Sequence, residues 1–245
     1  MRRHIVLLFI LSAICAWLGH VSLASSAEQA CPPALTEARR LLLVTAAGMD
    51  GANATLATFV RETSAAPWQQ HSGPGPAVVG KAGLGWGLTF RDKAAAGEPV
   101  KLEGDKRAPA GIFAVGAPFG FAPGDRPGYL QIEQGVQICV DDPASPFYSQ
   151  IVTMAEAGGA SGEIMAEIPL YEHGIVVDYP TSREARSGSC IFIHIWQGNG
   201  EGTVGCVAAP EATVAALQEF TSPDGKTAIA IPPETAKERF PGCLP

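Results

Sequence analysis

Alternating or β-branched apolar runs, cut short by Gly and Pro, recur along the chain. They fall at residues 40–45, 100–103, 111–115, 135–140, 174–179, 190–196 and 228–231, and each predicts a strand. Helical spacing is rarer. Residues 52–63 set Leu56, Phe59 and Val60 on one helical face. Residues 210–220 do the same with Val214 and Leu217, and Pro210 and Glu211 suit a first helical turn. A shorter helix is expected near 86–95. Residues 73–76 read as an exposed, inert loop, and 157–162 (AGGASG) as a surface loop or, alternatively, a lid over a cleft. Many strands with few helices predict a mainly β fold, a mixed sandwich or barrel-like core with a few capping helices. No repeat or linker divides it, so 28–245 is expected to be one domain.

Composition narrows the picture. Hydrophobic residues make up 47% of the 245, enough to bury a core, and this excludes wholesale disorder. Lys and Arg number 17 against 24 acids, a net charge of −7, so the chain lacks the basic footprint of a nucleic-acid binder. Arg2 and Arg3 precede an apolar run over 5–18 and then small residues to Ala27, the order of a secretory signal peptide over 1–27. An uncleaved anchor is the alternative, but the run is short for a spanning helix. Ile14 before Cys15 is too bulky for a lipoprotein cleavage site. Export, with no stable membrane span after cleavage, is the expectation.

Export changes what cysteine means, because thiols pair in an oxidising compartment. Cys31, Cys139, Cys190, Cys206 and Cys243 remain after the signal, and five cannot all pair internally. One thiol is left over.

The segment 190–196 reads CIFIHIW. Period-two alternation sends Ile191, Ile193 and Ile195 to one face, and Cys190, Phe192, His194 and Trp196 to the other. Twelve residues after His194 comes Cys206, behind a Gly-rich turn over 197–202 that lets the chain fold back. Gly205 removes a side chain beside the sulfur, so a substrate backbone has room to approach and a main-chain N–H to face an oxyanion. An imidazole and a helix starting near Pro210 would both favour the thiolate. Two plainer readings stay open: Cys206 in a disulfide, or Cys190, His194 and Cys206 sharing a zinc ion, although the close Cys-x-x-Cys pair is missing. His194 alone is more often a structural histidine than a base.

The stretch from His194 to Thr203-Val204-Gly205-Cys206 resembles the His…[Ser/Thr]-x-Gly-Cys signature of the L,D-transpeptidase (YkuD-type) catalytic domain family. Residues 103–113 (EGDKRAPAGIF) resemble its Gly-Asp-x-x-[Thr/Ala]-Pro-x-Gly-x-Phe segment. Residues 79–87 (VGKAGLGWG), 139–143 (CVDDP), 161–165 (SGEIM), 170–179 and 188–196 resemble further blocks of one branch, so the likeness spans 41–220. One departure is Ala208, where many members carry Arg; it bears on substrate choice more than on reaction type.

The resemblance implies a β-sandwich with capping helices and an enzyme exported to a bacterial periplasm or cell envelope, acting on peptidoglycan stem peptides without metal or organic cofactor. Cys206 would be the nucleophile, His194 the base and acid, N–H groups near Gly205 and Cys206 the oxyanion donors, and Thr203 a support for the turn or the imidazole. Tyr171 and Trp196 would line the substrate cleft or pack as core, and His173 would be structural. With Cys206 free, four cysteines remain; the termini commonly meet, so Cys31 is expected to pair with Cys243 and Cys139 with Cys190. Amine acceptors would give third-to-third cross-links. Water would make the same site an L,D-carboxypeptidase or a hydrolase releasing a wall-linked protein, and a non-catalytic wall-binding module is the reading from another class.

Overall fold

A computed structural model describes residues 31–221 and 226–245; the export signal assigned to 1–27 lies outside them. The strands run β1 (Arg40–Ala46), β2 (Asn53–Val60), β3 (Gln69–Val78), β4 (Leu84–Trp86), β5 (Ala108–Gly120), β6 (Leu130–Gln131), β7 (Gln137–Val140), β8 (Ile151–Thr153), β9 (Gly162–Ile164), β10 (His173–Asp178), β11 (Phe192–Ile195), β12 (Val207–Ala209) and β13 (Thr227–Ile231). The helices are α1 (Pro33–Thr36), α2 (Met154–Ala157) and α3 (Glu211–Phe220), with short 3₁₀ turns between. The chain is thus mainly β.

β5 decides the architecture. Its 13 residues pair first with β13 (Gly111 to Ala114 against Ile231 to Ala228) and then with β10 (Ala114 to Gly120 against Asp178 to His173). That joins two edges which a two-layer sandwich would keep apart. The ring β5–β10–β11–β12–β3–β2–β1–β13 returns to β5, so the sheet is closed and barrel-like, and the expected sandwich is corrected to this form. A register shift between Ile175 and Val177 accompanies the bend. The sheet is mixed, with β1–β13 and β11–β12 parallel. A separate sheet orders β8–β7–β9.

Several elements depart from their sequence reading. Residues 52–63, expected as a helix, form β2, because Leu56, Phe59 and Val60 suit either period and ladders to β1 and β3 satisfy the backbone on both sides. Residues 73–76 lie within β3 rather than in a free loop; Gly75 and Pro76 pair with Leu56 and Thr55. Residues 100–103 are not a strand: only Val100 bridges to Trp86, and the chain turns to bury Lys101. Near 86–95, Trp86 ends β4 and the helix is 3₁₀ over Leu88–Lys93.

Two cores result. Leu41 to Val44 of β1 are all buried, as in a strand covered on both faces, and pack with Trp86, Phe113, Ile193 and Ile229. A second cluster gathers Phe119, Met165, Tyr171 and Phe192 with Cys139, Cys190 and Cys206.

Candidate active site

β11 and the residues before it divide the two larger clusters. Ile191 and Ile193 enter the main core, while Cys190 and Phe192 enter the second, as the alternation requires. His194 follows Phe192 on that second face. It is 7% exposed, and its ring lies edge-on to Tyr171 at 5.4 Å between centroids. Nδ1 sits 2.7 Å from the Ile195 carbonyl. A carbonyl only accepts, so Nδ1 carries the proton of the neutral ring and Nε2 is the basic nitrogen. Burial pulls the His194 pKa down to about 4, against a smaller opposing effect of the Ile195 carbonyl.

Thr203 builds the turn that presents Cys206. Its hydroxyl donates to the Cys206 carbonyl at 2.7 Å and accepts the Gly205 N–H at 3.1 Å, while its backbone bridges to Val79 and Lys81. The Gly205 N–H is therefore engaged within the turn. Among the described residues, the N–H groups of Val204 and Cys206 donate to no protein acceptor. Gly205 is buried, and a Cβ there would stand in ordinary contact with the Arg107 carbonyl at 3.5 Å and Lys101 Nζ at 3.6 Å, so packing does not demand glycine.

Cys206 is 3% exposed. Its Sγ accepts the Phe192 N–H and donates to the Cys190 carbonyl, each at 3.3 Å. His194 is not among its hydrogen-bond partners; the two are tied through the backbone, where His194 registers with Ala208 across the β11–β12 ladder. Burial, then the Glu163 carboxylate, push the thiol pKa up, and the Phe192 N–H and Lys101 oppose them. Burial thus works against the thiolate that an imidazole and a helix start were expected to favour.

The structure pairs Cys31 with Cys243 and Cys139 with Cys190, leaving Cys206 as the free cysteine among the described residues. The second disulfide removes the Cys190 sulfur from any zinc ligand set. It also fixes the residue whose carbonyl meets the thiol, with Cys190 in the left-handed region (φ 52°) and its N–H on the Ser149 hydroxyl.

A cavity of about 160 Å³ is lined by His194, Tyr171, Trp196, Thr203, Glu163 and Lys81, among others, and Cys206 is not part of its lining. Tyr171 is both core and wall, and Trp196 is half-buried at the rim. His173 is half-buried near Gly120, with Nδ1 unpartnered. Sequence reading missed two charged groups. Glu163 accepts the Tyr171 hydroxyl at 2.6 Å, and burial raises its pKa. Lys101, 2% exposed, donates to Asp105 at 2.6 Å and to the Leu102 carbonyl, and its Nζ lies 3.6 Å from where a Gly205 Cβ would stand. Glu163 sits in the 161–165 block and Lys101 two residues before the 103–113 block, but nothing in their local spacing marks them.

No family model, curated protein or solved structure matches the chain. Among the described residues no helix is long and apolar enough to cross a membrane. Two disulfides fit an exported protein.

Proposed function

We propose that this chain is a cysteine acyltransferase of the L,D-transpeptidase type, acting on peptidoglycan stem peptides in a bacterial envelope. The observation that carries the reading is the state of the sulfurs: four of the five described cysteines are in disulfides, and the free one ends a turn beside the strand that holds His194. A thiol left unpaired in an otherwise oxidised chain, with a basic ring nitrogen on the adjacent strand, suits nucleophilic catalysis better than packing.

In this reading the Cys206 Sγ turns from the Cys190 carbonyl and attacks the carbonyl between the third stem residue and the terminal D-Ala. Its proton passes to His194 Nε2, and the oxyanion rests on the N–H groups of Val204 and Cys206. His194 then protonates the departing D-Ala amine, leaving a thioester. An amine on a second stem attacks the thioester, gives its proton to His194, and the thiol is restored with a third-to-third cross-link. Tyr171 and Trp196 form the wall against which the stem lies.

Incubating the purified protein with tetrapeptide muropeptides tests the reading. Cross-linked dimers are expected, with none from Cys206→Ala and a loss of at least about a hundredfold in His194→Gln. Tripeptides without dimers would assign the site to a hydrolase. No turnover, together with a Cys206 that stays unmodified under a carbapenem, would reduce the chain to a wall-binding module.

A further inference from the structure

Three polar side chains of the cavity at His194 are linked in a row. Glu163 accepts the Tyr171 hydroxyl at 2.6 Å, and the Tyr171 and His194 rings meet edge-on, 5.4 Å apart between centroids. All three have acceptor capacity left over. His194 is 7% exposed, its Nδ1 proton is committed to the Ile195 carbonyl, and its Nε2 has no partner among the described residues. Tyr171 has given its proton to Glu163 Oε2, so its oxygen can only accept again. Glu163 Oε1 has neither a hydrogen bond nor an ion pair among the described residues. Thr203, the other buried polar side chain in this lining, is spent within its own turn. Lys81, Gln197 and Glu201 line the cavity from exposed positions.

The buried part of the lining therefore offers acceptors and no side-chain donor, beside a carboxylate without a counter-charge. Water can satisfy the acceptors but not the charge. Burial raises the Glu163 pKa, and a cation seated against it restores the ionised form. A primary ammonium group does both, with a full positive charge and three N–H bonds. Ile168 and Leu170, also in the lining, suit an alkyl stem behind it. We propose that this cavity binds a primary ammonium group on an alkyl chain and that Glu163 selects it. The charge meets Glu163 Oε1, and the other N–H bonds turn to His194 Nε2 and the Tyr171 oxygen. Cys206 is not in the lining, which suits a second substrate more than the acyl group that the sulfur would carry. Under the acyl-transfer reading the seated group is the acceptor's amine; that assignment rests on the reading, whereas the ammonium site does not.

Long-range nitrogen–proton NMR of the His194 imidazole, assigned by its loss in His194→Gln, tests the site in the purified protein with both disulfides formed. Ethylammonium is the probe at neutral pH, with ethanol and propionate as uncharged and anionic controls. A saturable shift with a millimolar Kd is expected, weakened by about tenfold or more in Glu163→Gln, whose amide oxygen still accepts the Tyr171 hydroxyl. In the muropeptide reaction the same variant should raise the acceptor's KM by about tenfold and change kcat less. The proposal is overturned by no saturable shift, by ethanol or propionate binding as tightly, or by a loss in Glu201→Gln that equals the loss in Glu163→Gln. The comparison of probes on the parent needs no variant, and thermal unfolding within a few degrees of the parent separates lost binding from lost fold. Dimers formed without ethylammonium binding would sink the site and spare the acyl-transfer reading; binding without dimers or tripeptides would do the reverse.

Discussion

His194 is kept neutral by the residues packed around it, and acid is where that matters. Its pKa falls from 6.5 in a free side chain to about 4 in the folded chain, so between those values the unfolded chain binds a proton the native one does not. Stability is therefore retained above about pH 6.5 and falls as pH drops toward 4, by up to about 3 kcal/mol. Urea titrations at a series of pH values should show this slope in the parent and a flatter one in His194→Gln. Lys101 poses the opposite case, a buried cation held by Asp105, whose carboxylate also takes the Leu102 and Arg107 N–H groups. Lys101→Met leaves that carboxylate without its counter-charge and should cost about 3 kcal/mol. It also removes a cation that favours the thiolate, so iodoacetamide should label Cys206 more slowly at every pH from neutral to alkaline. A purely structural role for Lys101 would lower stability and leave the folded protein's labelling rate unchanged. The free thiol of Cys206 and the face that His194 takes were legible because a Gly-Cys turn and an alternating strand are local patterns. The buried lysine was not, since only folding brings 101 behind 205.

Among the elements, β10 carries the tightest packing near the site. A Cβ added at Gly174 would fall 2.1 Å from the Phe119 ring, which stacks edge-on against both Tyr171 and Phe192. Gly174→Ala must push Phe119 into the aromatic group that Tyr171 shares with His194 and should destabilise by about 1–3 kcal/mol, read as a lower urea midpoint. Strands with a one-sided pattern or a continuous apolar run were legible: β1, β7, β10, β11 and β13, together with α3. β2 was misread because Leu56, Phe59 and Val60 satisfy a helical period as well as a ladder, and only the partners on each side decide. β3 was missed because its Gly and Pro residues look like a loop when the neighbouring strand is out of view.

At the scale of the molecule, two disulfides span loops of very different length. Cys31–Cys243 closes 212 residues and Cys139–Cys190 closes 51. The chain-entropy argument assigns about 5 and about 4 kcal/mol to them, so Cys31→Ala with Cys243→Ala should lower the urea midpoint more than Cys139→Ala with Cys190→Ala. Equal losses would mean that contacts around the sulfurs, rather than chain constraint, set their worth. The mainly β character was plain from the density of short apolar runs, whereas closure of the sheet was not. It depends on β5 being long enough to serve two neighbours, and periodicity within β5 is the same whether one strand or two lie beside it. Closure in turn governs how a peptide can reach Cys206. β11 is hydrogen-bonded to β10 and β12, and β12 to β11 and β3, so neither presents a vacant edge to an incoming chain. A guest peptide cannot dock here by main-chain augmentation of the sheet; it must be gripped through its side groups and termini, which makes recognition depend on guest chemistry more than on guest backbone.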